Sequence, residues 1–209
     1  MSLRLIEADA DLAEGAAHLA RICPVWARVL PGLGPLDLRR RPDGFAAIVN
    51  AITSQQLSTS AARTIFARLT QAGLDRPEAV LATDDETLRL CGLSGPKRRY
   101  LRAVAEAGID FDALREQPDE QVIATLTALP GIGRWTAEMY LIFALGRADV
   151  FAPADLALQE AARLMYDLPE RPRPKALAAL AEAWTPWRSV AARGLWAYYR
   201  DAKGREGVT

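Results

Sequence analysis

The sequence is poor in the features that build metal clusters, disulfide frameworks and membrane spans. Its 209 residues include two cysteines, Cys23 and Cys91, which lie too far apart for a C-x-x-C zinc or iron–sulfur motif. Two isolated thiols suit a reducing cytosol. No apolar run reaches the roughly 20 residues that span a bilayer, and the first twenty residues are acidic, unlike a signal peptide. We therefore expect a soluble cytoplasmic protein without membrane contact.

Net charge is also absent, because 26 basic residues balance 26 acidic ones. This balance weakly disfavours a nucleic-acid partner, since such proteins usually carry net positive charge. The basic residues are nevertheless clustered, and either cluster alone is typical of a solvated helix face. The first cluster is Arg39, Arg40 and Arg41; the second is Arg89, Lys97, Arg98, Arg99 and Arg102.

Apolar residues recur at helical spacing, and period-two alternation is nearly absent, which predicts an all-α fold. The first 38 residues are predicted to be helical. Asp43 is a candidate N-cap for a helix whose apolar stripe includes Phe45 and Ile48, and Gly73 ends the next helix. Later helices are expected at Asp84–Cys91, Lys97–Ala107, Glu120–Ala128, Arg134–Leu145, Leu156–Tyr166, Pro174–Trp184 and Trp187–Tyr199. The segment from Leu90 faintly repeats in the segment from Leu126, each predicting helix, glycine turn and helix.

The string LPGIGRWTAEMYLIFALG, from Leu129 to Gly146, is the most specific in the chain. Gly131 and Gly133 are expected to let the backbone adopt positive φ angles and approach a ligand closely. The helix that follows has unpaired N–H groups at its start, which suit a phosphate. The alternative is an ordinary corner between two helices.

A second motif, VFAPADLAL, places one carboxylate in an otherwise apolar run. Asp155 directly precedes a predicted helix, so a plain N-cap is the simplest interpretation. A carboxylate there is also compatible with catalysis, because an anion can stabilise a cationic transition state and orient or deprotonate an attacking water.

Together LPGIGRWTA, FAPAD and the C-terminal WRSVAARGLW resemble the helix-hairpin-helix DNA glycosylase superfamily. The similarity runs from about Arg40 to Arg200 and is greatest to the alkylation-repair branch, 3-methyladenine DNA glycosylase II, in a compact form without a β-rich N-terminal domain. The resemblance implies one domain over residues 1–209, a two-lobed helical bundle with an active-site cleft between its lobes.

The resemblance also implies a reaction, hydrolysis of the N-glycosidic bond of alkylated bases flipped out of duplex DNA during base excision repair. Asp155 would stabilise the oxocarbenium-like sugar and act on the water. An alkylated purine already carries positive charge and leaves readily, so a second carboxyl is not needed. Trp135 stands where the relatives that cut the strand have a nucleophilic lysine, which implies a monofunctional enzyme without lyase activity. No iron–sulfur cluster is expected.

Site residues carried over from the resemblance fall into three groups. The substrate pocket comprises Trp135, Trp196, Met139 and Leu156, whose aromatic members favour a cationic base. DNA contacts are expected from Gly131, Ile132, Gly133, Arg134, Thr136, Lys97, Arg98 and the wedge Gln56 with its neighbour Leu57. Main-chain carbonyls of Leu129, Gly131 and Ile132 are candidates to hold a structural Na⁺ or K⁺; no other cofactor is expected. The implied partner is double-stranded DNA with alkylated bases, bound by a monomer, in the nucleoid if the protein is bacterial.

Two alternatives remain open from the residues themselves. One is a catalytically silent helix-hairpin-helix DNA-binding module, and the other is a helical protein with no nucleic-acid role. Mere binding needs neither Asp155 nor an aromatic pocket, which favours the enzyme. Salt-dependent duplex binding separates the last alternative from the other two. For Trp184, Trp187 and Tyr198, packing in the core is the expected role.

Overall fold

The structure, a computed structural model, describes residues 3–204 apart from the side chain of Thr59. This part of the chain forms thirteen α-helices and no β-strand, which confirms the predicted all-α fold. The helices are α1 (Asp9–Ile22), α2 (Pro24–Leu33), α3 (Phe45–Ser54), α4 (Thr59–Gln71), α5 (Pro77–Ala82), α6 (Asp85–Leu90), α7 (Gly95–Glu106), α8 (Phe111–Glu116), α9 (Asp119–Thr127), α10 (Arg134–Met139), α11 (Leu156–Met165), α12 (Pro174–Ala181) and α13 (Arg188–Lys203). Among the described residues, no helix combines the length and apolarity needed to cross a membrane.

The chain divides into two compact units. The terminal unit comprises Met1–Arg40 and Leu141–Thr209, and the central unit comprises Arg41–Tyr140. The terminal unit therefore contains α1, α2 and α11–α13, whereas the central unit contains α3–α10. The cleft expected between two lobes stays a prediction.

The core of the terminal unit is built around α13, whose residues from Ser189 to Ala197 are all buried. Gly194 allows α13 to approach α2 closely, because a Cβ there would lie 2.7 Å from the Trp26 ring. Trp184 packs edge-on against Trp26, with ring centroids 5.6 Å apart. Trp184 and Trp187 are almost fully buried, which confirms their predicted place in the core.

In the central unit, α3 buries the predicted apolar stripe, including Phe45 and Ile48. The predicted N-cap was wrong. Gly44 caps α3, while Asp43 accepts hydrogen bonds from the Arg115 guanidinium of α8 at 2.6 and 3.0 Å. The helices α5 and α8, each six residues long, were not predicted from the sequence.

The faint repeat corresponds to two helix–turn–helix units, α6–α7 and α9–α10. The matched glycines differ in conformation, since Gly95 begins α7 whereas Gly131 occupies the turn before α10 with φ of 81°. The two units thus share their helical outline but not the geometry of their turns.

The helix predicted from Arg134 to Leu145 changes its winding midway. It is α-helical to Met139 and continues as a π-helix over Tyr140–Leu145. Tyr140 is buried and its hydroxyl accepts the N–H of Gly44 at 3.2 Å. Burial raises the pKa of Tyr140 to about 12. Short π-helical turns are frequent at functional sites, and this one directly follows the helix of the hairpin.

Candidate functional site

Asp155 is the N-cap of α11, which confirms the structural part of its prediction. Its Oδ1 accepts the backbone N–H of Leu158 at 2.9 Å, and the residue is only 6% exposed. The preceding loop is held by the side-chain amide of Gln159, which donates to the Pro153 carbonyl at 2.8 Å. The cap therefore places a buried carboxylate in a fixed orientation at the start of a helix.

Trp196 lies beside this carboxylate. Its indole Nε1–H donates to Asp155 Oδ1 at 3.4 Å, and its ring stacks on Phe143 with centroids 5.5 Å apart. The Arg193 guanidinium lies 5.0 Å from the Phe143 ring centroid. Trp196, predicted to line the substrate pocket, is thus fixed by stacking on one face and by its contact with the catalytic candidate.

Arg193 was not identified from the sequence, although it precedes Trp196 by three residues and so shares its helix face. It is 4% exposed and donates to the carbonyls of Ser189 at 3.1 Å and Ile142 at 3.2 Å. Burial lowers the pKa of Arg193 to about 10, so the side chain stays positively charged at neutral pH. A fixed cation therefore lies on the stack that supports Trp196.

A cavity opens beside the same stack. Arg39, Arg193 and Arg200 line it together with the Trp196 ring. Asp37 also lines the cavity and accepts the Arg39 Nε–H at 2.7 Å. Three guanidinium groups, one carboxylate and the rings of Phe143 and Trp196 give this cavity a net positive, partly apolar lining. Of these residues, only Trp196 was predicted from the sequence to line a pocket.

The other predicted pocket residues differ widely in exposure. Leu156, in the terminal unit, is 61% exposed, directly after Asp155. Trp135 and Met139 belong to the central unit, where Trp135 is 38% exposed and Met139 is buried. Their shared role in one pocket with Trp196 and Leu156 stays a prediction.

The hairpin between α9 and α10 has the predicted glycine turn, with one correction. Gly131 has φ of 81°, and a Cβ at this position would collide with the Tyr100 ring. Gly133, expected to have a positive φ as well, has φ of −89° and serves as the N-cap of α10. A Cβ at Gly133 would meet no atom within 4 Å. Gly131 is therefore required by the fold, whereas Gly133 leaves open space at the start of the helix.

Arg134 follows this turn and is held by two carboxylates. It donates to Glu120 of α9 at 2.9 Å and, from Nε, to Glu138 of α10 at 3.0 Å. Glu138 is 2% exposed, and its Oε2 has no hydrogen-bond partner. Burial raises the pKa of Glu138 to about 7, although Arg134 opposes the shift. Glu138 was not predicted from the sequence as a site residue. Thr136, which was predicted to contact DNA, is also buried in this helix.

The predicted wedge segment follows α3. Gln56 is exposed and has φ of 56°, which is uncommon for a residue with a side chain, and Leu57 is 41% exposed. Gln55, just before it, donates its side-chain amide to the Gly131 carbonyl at 2.8 Å. The residue that precedes the predicted wedge is therefore in direct contact with the hairpin turn.

The two basic residues predicted to bind DNA from α7 both have partners inside the protein. Lys97 Nζ donates to the carbonyls of Thr53 and Gln55 at 2.8 and 2.7 Å. Arg98 donates to both oxygens of Asp85 at 2.9 Å and to the Leu93 carbonyl at 2.9 Å. These contacts account for the positions of both side chains, and contact with DNA stays a prediction for each.

The hairpin carbonyls named for a cation are partly engaged. The Leu129 carbonyl accepts the N–H of Ile132 at 3.2 Å, and the Gly131 carbonyl accepts the Gln55 amide. Over residues 3–204, no group of three or more His, Cys, Asp or Glu side chains is arranged to hold a metal ion. A cation at the hairpin stays a prediction, and the predicted ligands are main-chain oxygens.

The chain is similar in sequence to a known family. The family model of the HhH-GPD superfamily base excision DNA repair protein matches residues 49–186. In Schizosaccharomyces pombe, the alkylbase DNA glycosidase-like protein mag2 is 31% identical over 200 residues, which are 90% of this chain and 94% of that protein. DNA-3-methyladenine glycosylase 1 of the same yeast is 32% identical over 198 residues, 89% of this chain and 87% of its own.

Solved structures agree with the sequence relatives. The 3-methyladenine DNA glycosylase of Schizosaccharomyces pombe in complex with abasic DNA has a TM-score of 0.77 at 30% identity, covering 91% of this chain and 97% of that one. DNA-3-methyladenine glycosidase from Bacillus halodurans also has a TM-score of 0.77, at 32% identity, covering 98% and 94%. The resemblance inferred from the three motifs is thereby confirmed, and the chain belongs to the HhH-GPD superfamily of base excision DNA repair proteins.

Proposed function

We propose that this protein is a monofunctional DNA glycosylase that flips alkylated bases out of duplex DNA and hydrolyses their N-glycosidic bonds. The observation that carries the proposal is the buried, doubly hydrogen-bonded carboxylate of Asp155 at the start of α11. Two relatives that align with the chain over most of their length are named alkylbase DNA glycosidase-like protein mag2 and DNA-3-methyladenine glycosylase 1, which supports this substrate class.

Asp155 would act on the sugar and the water. Bond cleavage gives the deoxyribose an oxocarbenium-like positive charge, which an adjacent carboxylate stabilises. Leu158 and Trp196 both donate to Oδ1, so the carboxylate does not have to reorganise when the charge develops. The same group would orient the attacking water and accept its proton. The alkylated base is already cationic, so it takes the electron pair of the breaking bond and leaves as a neutral molecule. It therefore needs no acid to protonate it.

The residue after Arg134 supports the absence of strand cleavage. A lyase needs an amine that attacks C1′ of the sugar. The chain has Lys97, Lys175 and Lys203, and the position after Arg134 is Trp135. Lys97 is bound to two carbonyls, and Lys203 lies 3.4 Å from Glu160. We therefore propose that the product is an intact abasic strand.

The hairpin would bind the DNA backbone without reading the sequence. The open space around Gly133 would let a phosphate approach the first N–H groups of α10, as helix N-termini bind anions. Carbonyls of Leu129, Gly131 and Ile132 would suit Na⁺ or K⁺, because the hydrogen bonds that Leu129 and Gly131 accept leave each of those two oxygens a second lone pair. Such an ion would stabilise the turn and attract the phosphate.

We propose that the enzyme acts as a monomer.

The direct test is to incubate purified protein with methylated duplex DNA and follow released bases by chromatography, with Asp155→Asn beside the wild type. Release of 3-methyladenine by the wild type alone supports the proposal. Alkaline cleavage of the product, with no break before alkali, supports monofunctionality. Tight, salt-sensitive duplex binding without release of any base would instead favour a silent DNA-binding module.

A further inference from the structure

We propose that Lys97 and Gln55 are positioning residues that hold Gln56 ready to enter the duplex, by fastening the end of α3 to α7 and to the hairpin turn. The inference rests on the proposed function, because it assigns how the wedge of that enzyme is held. It gives Lys97 a role different from the DNA contact that the resemblance implied.

Lys97 lies where a cation is strongly favoured. The last carbonyls of a helix have no partner within the helix and carry its partial negative charge. Lys97 extends from α7 and donates to two of these carbonyls at the end of α3, those of Thr53 and Gln55. Both distances are below 2.9 Å, typical of charge-assisted hydrogen bonds. Partial burial lowers the pKa of Lys97.

Gln55 is fixed at both its ends. Its main-chain carbonyl accepts the Lys97 ammonium at 2.7 Å, and its side-chain amide donates to the Gly131 carbonyl at 2.8 Å. Its own N–H still donates to the Ile52 carbonyl at 3.3 Å. One residue thus links α3, α7 and the turn of the hairpin, three segments that are distant in sequence.

The consequence falls on Gln56. Its φ of 56° lies in the left-handed region, which residues other than glycine seldom occupy unless their neighbours hold them there. The side chain of Gln56 is exposed rather than packed, so its conformation is set by the backbone on either side. A wedge residue that is already held in one conformation loses little conformational entropy when it enters the DNA duplex, and this favours insertion.

Wedge insertion can be measured without chemistry. We would use a duplex with a tetrahydrofuran abasic-site analogue and the fluorescent base 2-aminopurine opposite it, so that a side chain filling the gap changes the fluorescence. Lys97→Met and Gln55→Ala should lose most of the response, as Gln56→Ala does. Lys97→Arg should restore part of it. Arg99→Met is the matched control, because it removes the same charge from an exposed position of α7.

Excision gives the second readout. At saturating enzyme, Lys97→Met and Gln55→Ala should release 3-methyladenine from methylated duplex about tenfold more slowly than the wild type, the effect expected for lost hydrogen bonds near a charged group. Release from the same DNA as single strands should be unchanged, because no gap needs filling. In the double variant Lys97→Met/Gln56→Ala, release should be no slower than in Gln56→Ala alone.

The outcomes separate this inference from the proposed function. A wild-type fluorescence response in Lys97→Met and Gln55→Ala, or in Gln56→Ala, would overturn the inference. Equal losses on duplex and single strands would also overturn it, because they would indicate a general structural defect. If Lys97→Met does not fold, Gln55→Ala decides the question, since its side chain is only partly buried. A normal fluorescence response without base release by the wild type would refute the glycosylase and leave the wedge assignment standing.

Discussion

Trp196 and Asp155 share one hydrogen bond, from the indole Nε1–H to Oδ1 at 3.4 Å. Leu158 donates its backbone N–H to the same oxygen, so the carboxylate is held by a helix start and by an aromatic side chain of another helix. Structural capping and the proposed catalysis are therefore combined in one residue. Substitutions can separate them, because the cap needs an oxygen whereas the proposed catalysis needs a negative charge.

Asp155→Asn should abolish excision while leaving the fold intact. Asparagine is as good an N-cap as aspartate, so the stability should change little, but the neutral amide cannot stabilise a cationic sugar. We expect at least about a hundredfold slower base release, with binding to an abasic-analogue duplex retained within several-fold. Single-turnover kinetics and fluorescence anisotropy would measure the two effects.

The control for this change is Asp110→Asn. Asp110 caps α8 through a similar bond to the Ala113 N–H at 3.0 Å but is exposed. It should keep full excision activity. Normal base release by the Asp155 variant would contradict the proposed mechanism, whatever its melting temperature.

Trp196→Phe should lower kcat more than it raises KM. Phenylalanine keeps an aromatic face against Phe143 but removes the N–H that orients Asp155. The loss of one hydrogen bond to a carboxylate predicts a kcat about ten times lower or more. Trp184→Phe is the control: Trp184 is fully buried in the core of the same unit, so its replacement should lower thermal stability without changing kcat. A change in KM alone would instead indicate that Trp196 serves only to bind the base.

The sequence was sufficient for features that depend on neighbouring residues. The hairpin turn, the N-cap at Asp155 and the buried stripe of α3 follow from local spacing, because a helix start or an apolar face involves residues a few positions apart. The likeness of whole motifs then supplied the family. Trp196 could be assigned to the pocket only through that likeness.

The features that sequence analysis missed depend on long-range contacts. Lys97 meets the carbonyls of Thr53 and Gln55 only because α7 packs against the end of α3. Glu138 looks like an ordinary helical glutamate until its burial is known. The predicted positive φ of Gly133 was wrong, because a G-x-G string does not show which glycine needs the left-handed region.

The two hairpin glycines should respond differently to substitution. Gly131→Ala should destabilise the protein by about 1 kcal/mol or more, because of its positive φ and the collision with Tyr100. Gly133→Ala should leave stability within about 0.5 kcal/mol of the wild type, since an added methyl meets no atom. That methyl should nevertheless obstruct a phosphate and weaken binding to damaged and undamaged duplex alike. Urea unfolding and anisotropy would measure these effects, and a loss confined to damaged DNA would argue against the phosphate role.

Stability should fall as the pH rises through the range in which Glu138 titrates. Its pKa is raised from 4.5 to about 7 by burial, so between these values the folded state binds a proton that the unfolded state has released. The stabilisation from that proton is complete below about pH 4.5 and decreases as the pH rises to about 7. The shift corresponds to about 3 kcal/mol at most.

Glu138→Gln should therefore flatten the pH dependence of stability. The amide does not ionise, so its stability does not fall with the titration of this group. The stability of the variant minus that of the wild type should therefore be larger at about pH 8 than at about pH 5. Glu120→Gln is the matched control, because Glu120 pairs with the same Arg134 from an exposed position on α9. Its charge is the smallest of the causes that shift the pKa of Glu138, so this variant should change the slope much less than Glu138→Gln does. Urea unfolding at several pH values would measure the slopes. An unchanged slope in Glu138→Gln would mean that this carboxyl is ionised over the whole range, with Arg134 compensating fully for its burial.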